Sequence, residues 1–143
     1  MRIIIRTVEM PAAKKPDDII KWFCEVLGIA AGSDSDVEER IFRAFAYAAQ
    51  TNSGISSSDI TLRQGLARST VIYHLNRLID MGLITKKGRR YYLRATNMAR
   101  MVEELEYDLD REMNRMLNVA QEFDRLMLQQ GAKARRTKAL KKG

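Results

Sequence analysis

The chain has 143 residues, of which 45% are apolar, and a formal net charge of +7. The apolar share is too high for a wholly disordered chain, and no apolar run approaches the ~20 residues that a membrane-spanning helix needs. The N-terminus lacks the apolar core and cleavage site of a secretory signal, so we expect a cytoplasmic protein with no membrane partner. A single cysteine, Cys24, and a single histidine, His74, exclude an intrachain disulfide and a Cys/His zinc site in one chain.

The charge is distributed in blocks. Residues 1–55 are nearly neutral, residues 56–94 have an excess of six basic residues, residues 97–130 have an excess of four acidic residues, and residues 131–143 hold six basic residues and no acidic one. Two basic segments indicate a polyanionic partner. For the last segment, a disordered and solubilising end is the alternative.

The N-terminal segment predicts one short strand and one helix. Residues 2–8 are apolar enough for a strand. Pro16 and the acidic residues after it favour the start of a helix, which ends near Gly28 to Gly32. Cys24 falls in the apolar pattern of this helix, so we interpret it as a core residue.

Two capping signals predict the starts of the next two helices. Ser35 and Glu38 have the spacing of a capping box, and apolar residues follow at helical spacing until shortly before Asn52. Ser56 and Asp59 repeat this spacing and indicate the start of a short helix.

The centre of the chain predicts a tight turn, a further helix and a β-hairpin. The short helix ends near residue 64, and Gly65 tolerates the positive φ angle of a sharp turn. The next helix covers residues 67–81 and ends at Gly82. Two β-prone runs around a basic turn, within residues 83–94, predict the hairpin. This order of elements is the plan of a winged helix-turn-helix domain.

The helix over residues 67–81 has two contrasting faces. One face is aliphatic and carries Val71, Leu75, Leu78 and Ile79. The other offers hydrogen-bonding groups of several lengths, which a helix in the major groove of DNA needs for reading base edges. Its candidate DNA-contacting residues are Arg68, Ser69, Thr70, Tyr73, Asn76 and Arg77. The hairpin adds candidate phosphate contacts at Lys86, Lys87, Arg89 and Arg90. For any single residue, an ordinary solvated surface is the alternative.

A resemblance to a known family is carried by the segment GLARSTVIYHLNRLIDMGLITKKGRRYYLR. It resembles the winged-helix core of the ArsR- and TrmB-type transcription regulators, which abound in archaea and bacteria. The residues that fall in register are Ser69-Thr70-Val71, His74-Leu75, Leu78, Gly82-Leu83-Ile84 and the tyrosines of the second hairpin strand. The resemblance covers residues 55–94 firmly and residues 35–54 loosely, and it implies an archaeal-like DNA-binding regulator.

Two departures from the family pattern affect this interpretation. Gln64 stands where an apolar residue usually closes the short helix, with Leu62 on the side that is usually exposed. The cysteine-bearing metal-sensor motif of the family is absent, which argues against a metal. His74 lies at the edge of the buried face, so we interpret it as a structural or phosphate-contacting residue rather than a ligand or pH switch.

Residues 97–130 contain no Gly or Pro and predict one long helix that ends at Gly131. Apolar residues recur along it, and pairing with a second copy is the simplest way to bury them. The candidate dimerisation residues are Val102, Leu105, Leu109, Met113, Met116, Ala120, Phe123 and Met127. Packing against the N-terminal helices is the alternative. A two-fold dimer would read two half-sites about 34–36 Å apart.

These patterns predict a mainly α fold with a small β-hairpin. The expected organisation is an N-terminal extension (residues 1–34), a winged helix-turn-helix domain (35–95), a coiled-coil-like helix (96–130) and a basic flexible tail (131–143). The predicted function is sequence-specific binding of double-stranded DNA as a homodimeric transcription regulator. A winged-helix module that binds RNA, the ribosome or RNA polymerase is the alternative. The chain has no Gly-rich phosphate loop, nucleophile–base pair or metal-ligand cluster, so we expect no catalytic site, metal or cofactor, and no small-molecule effector can be named.

Overall fold

A computed structural model of the chain describes residues 5–11, 15–29 and 35–142. Its helices are α1 (Pro16–Val26), α2 (Ser35–Ala49), α3 (Ser57–Gln64), α4 (Arg68–Asp80) and α5 (Met98–Lys142), and its strands are β1 (Ile55–Ser56), β2 (Ile84–Lys87) and β3 (Arg90–Leu93). The chain divides into two compact units, Met1–Glu104 and Leu105–Gly143. The first unit is a winged helix-turn-helix arrangement, and the second is the remainder of a long helix, so the predicted fold class is confirmed.

The core of the first unit is built from the apolar faces of its helices and hairpin. α2 packs against α4 and β3, while α4 also packs against α3 and β2. The side chains of Phe42, Phe45, Leu75, Leu78 and Leu83 are completely buried. Apolar residues at helical spacing therefore meet in one core, which fixes α4 against the rest of the unit.

The predicted helix cap and glycine turns of the helix-turn-helix are present in the structure. The Asp59 backbone N–H donates to the Ser56 hydroxyl at 3.1 Å, so Ser56 caps α3. Gly65 adopts φ +64° in the turn between α3 and α4, and Gly82 adopts φ +78° after α4. These conformations place α4 directly after the turn.

The sheet has one more strand than the sequence predicts. β2 and β3 pair antiparallel, with Ile84 opposite Leu93 and Lys87 opposite Arg90. β1 pairs with β3 on its other side, giving the order β1-β3-β2. A strand of two residues is too short to show the alternation on which sequence prediction relies.

The predicted N-terminal strand is wrong for residues 5–8, which the structure places outside any strand; residues 2–4 lie outside the described residues. The Arg6 backbone N–H donates to the Val26 carbonyl at 2.8 Å, and the Trp22 indole N–H donates to the Val8 carbonyl at 3.4 Å. These bonds attach the segment to α1 instead of to a sheet edge.

Cys24 is confirmed as a core residue. Its side chain has no exposed surface, and burial raises the pKa of its thiol from 9.0 to about 12. α1 is joined to α2 at the surface, where the Tyr47 hydroxyl donates to Asp17 at 2.6 Å and Arg43 pairs with the same carboxylate at 3.6 Å.

The long helix continues past the predicted end at Gly131. The Asn97 side chain accepts from the Arg100 backbone N–H at 2.8 Å, as a cap of α5, and the helix runs for 45 residues to Lys142. A glycine costs a helix only about 1 kcal/mol relative to alanine, and the residues after Gly131 are mainly Ala, Lys, Arg and Leu, which favour helix. Within the part of the chain that the structure describes, no helix is both long and apolar enough to cross a membrane.

Candidate nucleic-acid interface

The outer face of α4 is open to solvent. Its side chains Arg68, Ser69, Tyr73, Asn76 and Arg77 are exposed, and Thr70 is half-buried. On the opposite face Val71, Leu75 and Leu78 are completely buried, whereas Ile79 is half-buried. Burial therefore follows the two faces that the sequence predicts, and it leaves a polar helical surface of varied side-chain length.

The hairpin presents four exposed cations, Lys86, Lys87, Arg89 and Arg90. The ammonium of Lys86 lies 5.6 Å from the centre of the Tyr91 ring, and that of Lys87 lies 5.5 Å from the Tyr92 ring. The Arg90 guanidinium donates to the Gly54 carbonyl at 3.0 Å. Aromatic rings and the backbone before β1 thus hold three of these cations in place.

The charges of the hairpin are unbalanced. Residues 84–93 include four basic residues and no acidic one, and Lys87 stands directly opposite Arg90 in the antiparallel register. Like charges in opposite positions destabilise a sheet. A bound polyanion would remove this cost, because phosphate oxygens neutralise several cations at once.

A buried polar cluster links α2 to α4 behind this surface. Glu38 and His74 are each only 2% exposed. Nδ1 of His74 donates to Oε2 of Glu38 at 2.6 Å, and Nε of Arg77 donates to the same oxygen at 2.9 Å. The cluster ties the position of α4 to a carboxylate on another helix.

Arg77 is the member of this cluster that reaches solvent. Its side chain is 44% exposed, and its guanidinium carbon lies 6.0 Å from the centre of the Tyr73 ring. The hydrogen bond to Glu38 raises the pKa of Arg77 further above its ordinary value. Arg77 binds Glu38 through Nε, and a weaker interaction with the Tyr73 side chain engages the rest of the guanidinium.

The role predicted for Glu38 is wrong. The sequence suggests a capping box with Ser35, but the carboxylate points to His74 and Arg77 instead; the side chain of Ser35 lies outside the described part of the structure. The sequence does contain a signal that Glu38 is buried. Glu38 shares one face of α2 with Phe42, Phe45 and Ala49, all of which are buried. A carboxylate on an apolar face requires a buried partner.

The central segment of the chain, which forms this surface, is similar to a known family of domains. Residues 47–85 match the family model of a winged helix-turn-helix DNA-binding domain. The match spans just over a quarter of the chain and includes α3, α4 and the start of β2. It supports DNA binding and a regulatory rather than an enzymatic role. Searches of the curated proteins and of the solved structures found no significant match.

The departure from the family pattern at Leu62 and Gln64 is visible on α3. Leu62 is 81% exposed, and Gln64 at the end of the same helix is half-buried. The short helix therefore turns an apolar side chain outward and a polar one partly inward, which is the opposite of what these two residue types favour.

The candidate dimerisation residues differ in their exposure. Leu105 is 5% exposed and Leu109 is half-buried, whereas Val102 is 42% exposed. From Met113 onward the apolar residues of α5 are open, with Met113, Met116 and Phe123 each at least 60% exposed. The part of the stripe that is open in a single chain therefore begins near Met113.

Among the described residues, no three or more His, Cys, Asp or Glu side chains come together in a group that could hold a metal ion. His74, the residue that would be the first candidate ligand, is bonded to Glu38 instead.

Proposed function

We propose that the chain is a homodimeric transcription regulator, similar to the ArsR and TrmB types, that binds double-stranded DNA in a sequence-specific way. The observation that carries this proposal is the exposed polar face of α4, within the segment that matches a DNA-binding domain, beside a hairpin with four exposed cations. In the proposed complex, α4 enters the major groove and the hairpin lies on the phosphate backbone.

The two surfaces have different tasks in this proposal. The side chains on the face of α4 contact base edges, and they are Arg68, Ser69, Thr70, Tyr73, Asn76 and Arg77. The hairpin residues Lys86, Lys87, Arg89 and Arg90 bind phosphates, which fixes position and orientation without reading sequence. Arg77 is suited to a guanine because its terminal nitrogens can donate to two acceptors at once.

The homodimer is supported by the open apolar stripe of α5. Met113, Met116, Phe123 and Met127 are between 43% and 63% exposed, and Ala120 lies among them at helical spacing. A contiguous apolar surface of this kind marks an interaction site in a soluble protein. A second copy of the same helix offers a matching stripe, and two DNA-binding domains would bury more DNA surface than one.

The RNA-binding alternative is less well supported. Binding of unpaired bases relies on exposed aromatic rings for stacking. Tyr91 is only 4% exposed, and the Tyr92 ring lies so close to Gly54 that a Cβ on that glycine would stand 2.5 Å from it. Tyr73 is exposed, but it lies on α4, the helix that we propose to enter the major groove of DNA.

The proposal is tested by measuring affinity over a salt series for three probes: the DNA upstream of its own coding region, a random duplex and a structured RNA. We expect tighter binding to a defined DNA site, with a protected footprint of two-fold symmetry. Equal affinity for both duplexes at every salt concentration would contradict sequence specificity. Tighter binding to the RNA would contradict the choice of DNA.

A further inference from the structure

The charge of α5 changes sign along the helix. Residues 105–112 include four acidic residues and one basic residue, residues 113–128 include two of each, and residues 129–142 include six basic residues and no acidic one. The neutral middle segment also carries most of the exposed large apolar side chains of this unit, with Tyr107 and Leu140 outside it. The second unit is therefore a helix with an acidic end, an apolar centre and a basic end.

This gradient distinguishes the two ways in which a pair of such helices can be arranged. In a parallel pair, each acidic segment lies beside an acidic segment and each basic segment beside a basic one, so both ends repel. In an antiparallel pair, the acidic segment of each copy lies beside the basic segment of the other. The helix macrodipoles also favour the antiparallel arrangement.

Building on the proposed homodimer, we propose that two copies pair their α5 helices antiparallel, with Ala120 at the two-fold axis. Ala120 is the midpoint between Met113 and Met127, so each Met113 faces the partner's Met127 in this register. A small residue at the axis lets the two backbones approach closely. The exposed side chains of Met113, Met116, Phe123 and Met127, which lie within about 60° of Ala120 around the helix, then cover those of the partner.

One charge pair defines the register. Glu106 precedes Ala120 by about as many residues as Arg135 follows it, and both are exposed. At 3.6 residues per turn they lie within about 20° of each other around the helix, on one flank of the apolar stripe. Glu106 therefore lies near the partner's Arg135. Within one helix the two residues are about 44 Å apart, so an energetic coupling between them must act between copies.

Disulfide cross-linking distinguishes the two orientations. Met113→Cys alone cannot cross-link in the antiparallel pair, because its two copies are about 21 Å apart along the axis, whereas a disulfide needs Cα atoms within about 7 Å. Ala120→Cys and the double variant Met113→Cys/Met127→Cys are expected to form covalent dimers. The unaltered chain is the control, since Cys24 is completely buried. A covalent dimer of Met113→Cys alone would show a parallel pair and overturn the proposal.

A charge exchange tests the register without cysteines. Glu106→Lys and Arg135→Glu are each expected to raise the dimer Kd about tenfold, because every dimer contains two such pairs. The double variant should return to within about threefold of the unaltered chain, as measured by sedimentation equilibrium. Arg136→Glu is the matched control, because it makes the same charge change on the opposite side of the helix from Ala120. Additive losses in the double variant, or a monomeric chain, would overturn the proposal.

The same variants separate this inference from the proposed function. DNA affinity is measured on each one in parallel with the dimer Kd. An antiparallel dimer that binds no DNA would support the pairing and contradict the proposed function. A chain that binds DNA as a monomer or as a parallel dimer would overturn the pairing and leave the DNA-binding surface standing. If Arg135→Glu weakens DNA binding with no change in the dimer Kd, the basic end serves DNA, and the pairing proposed here is overturned.

Discussion

Nδ1 of His74 lies 2.6 Å from Oε2 of Glu38, and both side chains are almost completely buried. Nε of Arg77 donates to the same oxygen at 2.9 Å. The carboxylate therefore serves two tasks: it satisfies a buried histidine, and it orients an arginine on the outer face of α4. A side chain of the core thus supports a side chain that we propose for DNA contact.

Replacing Glu38 is expected to destabilise the fold. Glu38→Ala leaves His74 and Arg77 without their shared acceptor, and we expect a loss of about 3 kcal/mol in the free energy of unfolding. Glu38→Gln keeps the shape and one acceptor, so its cost should be smaller, about 1–2 kcal/mol. Equilibrium unfolding in urea measures both. The control is Glu103→Ala, which removes an exposed carboxylate paired with Arg100 and should cost less than about 1 kcal/mol. Similar losses at both positions would contradict a special role for Glu38.

The buried thiol of Cys24 predicts a pH dependence. Its pKa is raised by burial from 9.0 to about 12, so above pH 9 the thiol of the unfolded chain ionises while that of the folded chain stays neutral. The unfolded chain then binds fewer protons, and the free energy of unfolding falls as pH rises, by at most about 1.4 kcal/mol per pH unit. Urea unfolding at pH 8, 9 and 10 should show this slope in the unaltered chain relative to Cys24→Ala. A difference that is independent of pH would refute the assignment.

The elements that the sequence predicts correctly depend on local interactions. Ser56 caps α3 through a backbone N–H three residues away, and Gly65 adopts the left-handed conformation that only glycine enters at no cost. The two faces of α4 follow from helical spacing alone. Such signals are complete within a few residues, so they can be read without knowing the fold.

The sequence predictions are wrong where the local structure depends on a contact with a distant part of the chain or on a balance of small energies. Glu38 fits a local capping box, but its partners stand 36 and 39 residues away in the sequence. Gly131 is a residue type that commonly ends helices, yet α5 continues through it to Lys142. The residues after Gly131 favour helix strongly enough to outweigh the cost of one glycine. β1 exists only because β3 lies beside it. The pairing of β1 leaves no pattern within its own segment, whereas the apolar face on which Glu38 lies indicates a buried partner without identifying it.

Gly54→Ala should disturb the hairpin. A Cβ at this position would stand 2.5 Å from the Tyr92 ring, so the ring must move, and Lys87 rests on that ring. We expect a loss of about 1–3 kcal/mol in stability, with weaker DNA binding. Tyr92→Val removes the obstructing ring, so adding Gly54→Ala to it should cost less than it costs alone. A double-mutant cycle on urea unfolding measures this coupling, and strictly additive losses would contradict the steric explanation.

Asn76→Ala and Arg89→Ala should change DNA affinity in different ways: the first on the specific site, the second on every duplex. Asn76 stands on the exposed face of α4 and Arg89 in the turn of the hairpin. Loss of a base contact should cost about 1–3 kcal/mol on the specific site and little on random DNA. Loss of a phosphate contact should weaken binding to every duplex and reduce the slope of log K against log salt by about 0.9. Fluorescence anisotropy over a salt series distinguishes them, with Arg40→Ala, an exposed arginine of α2, as the charge-matched control for Arg89. If Asn76→Ala weakens binding to both duplexes equally, α4 holds the backbone and does not read bases.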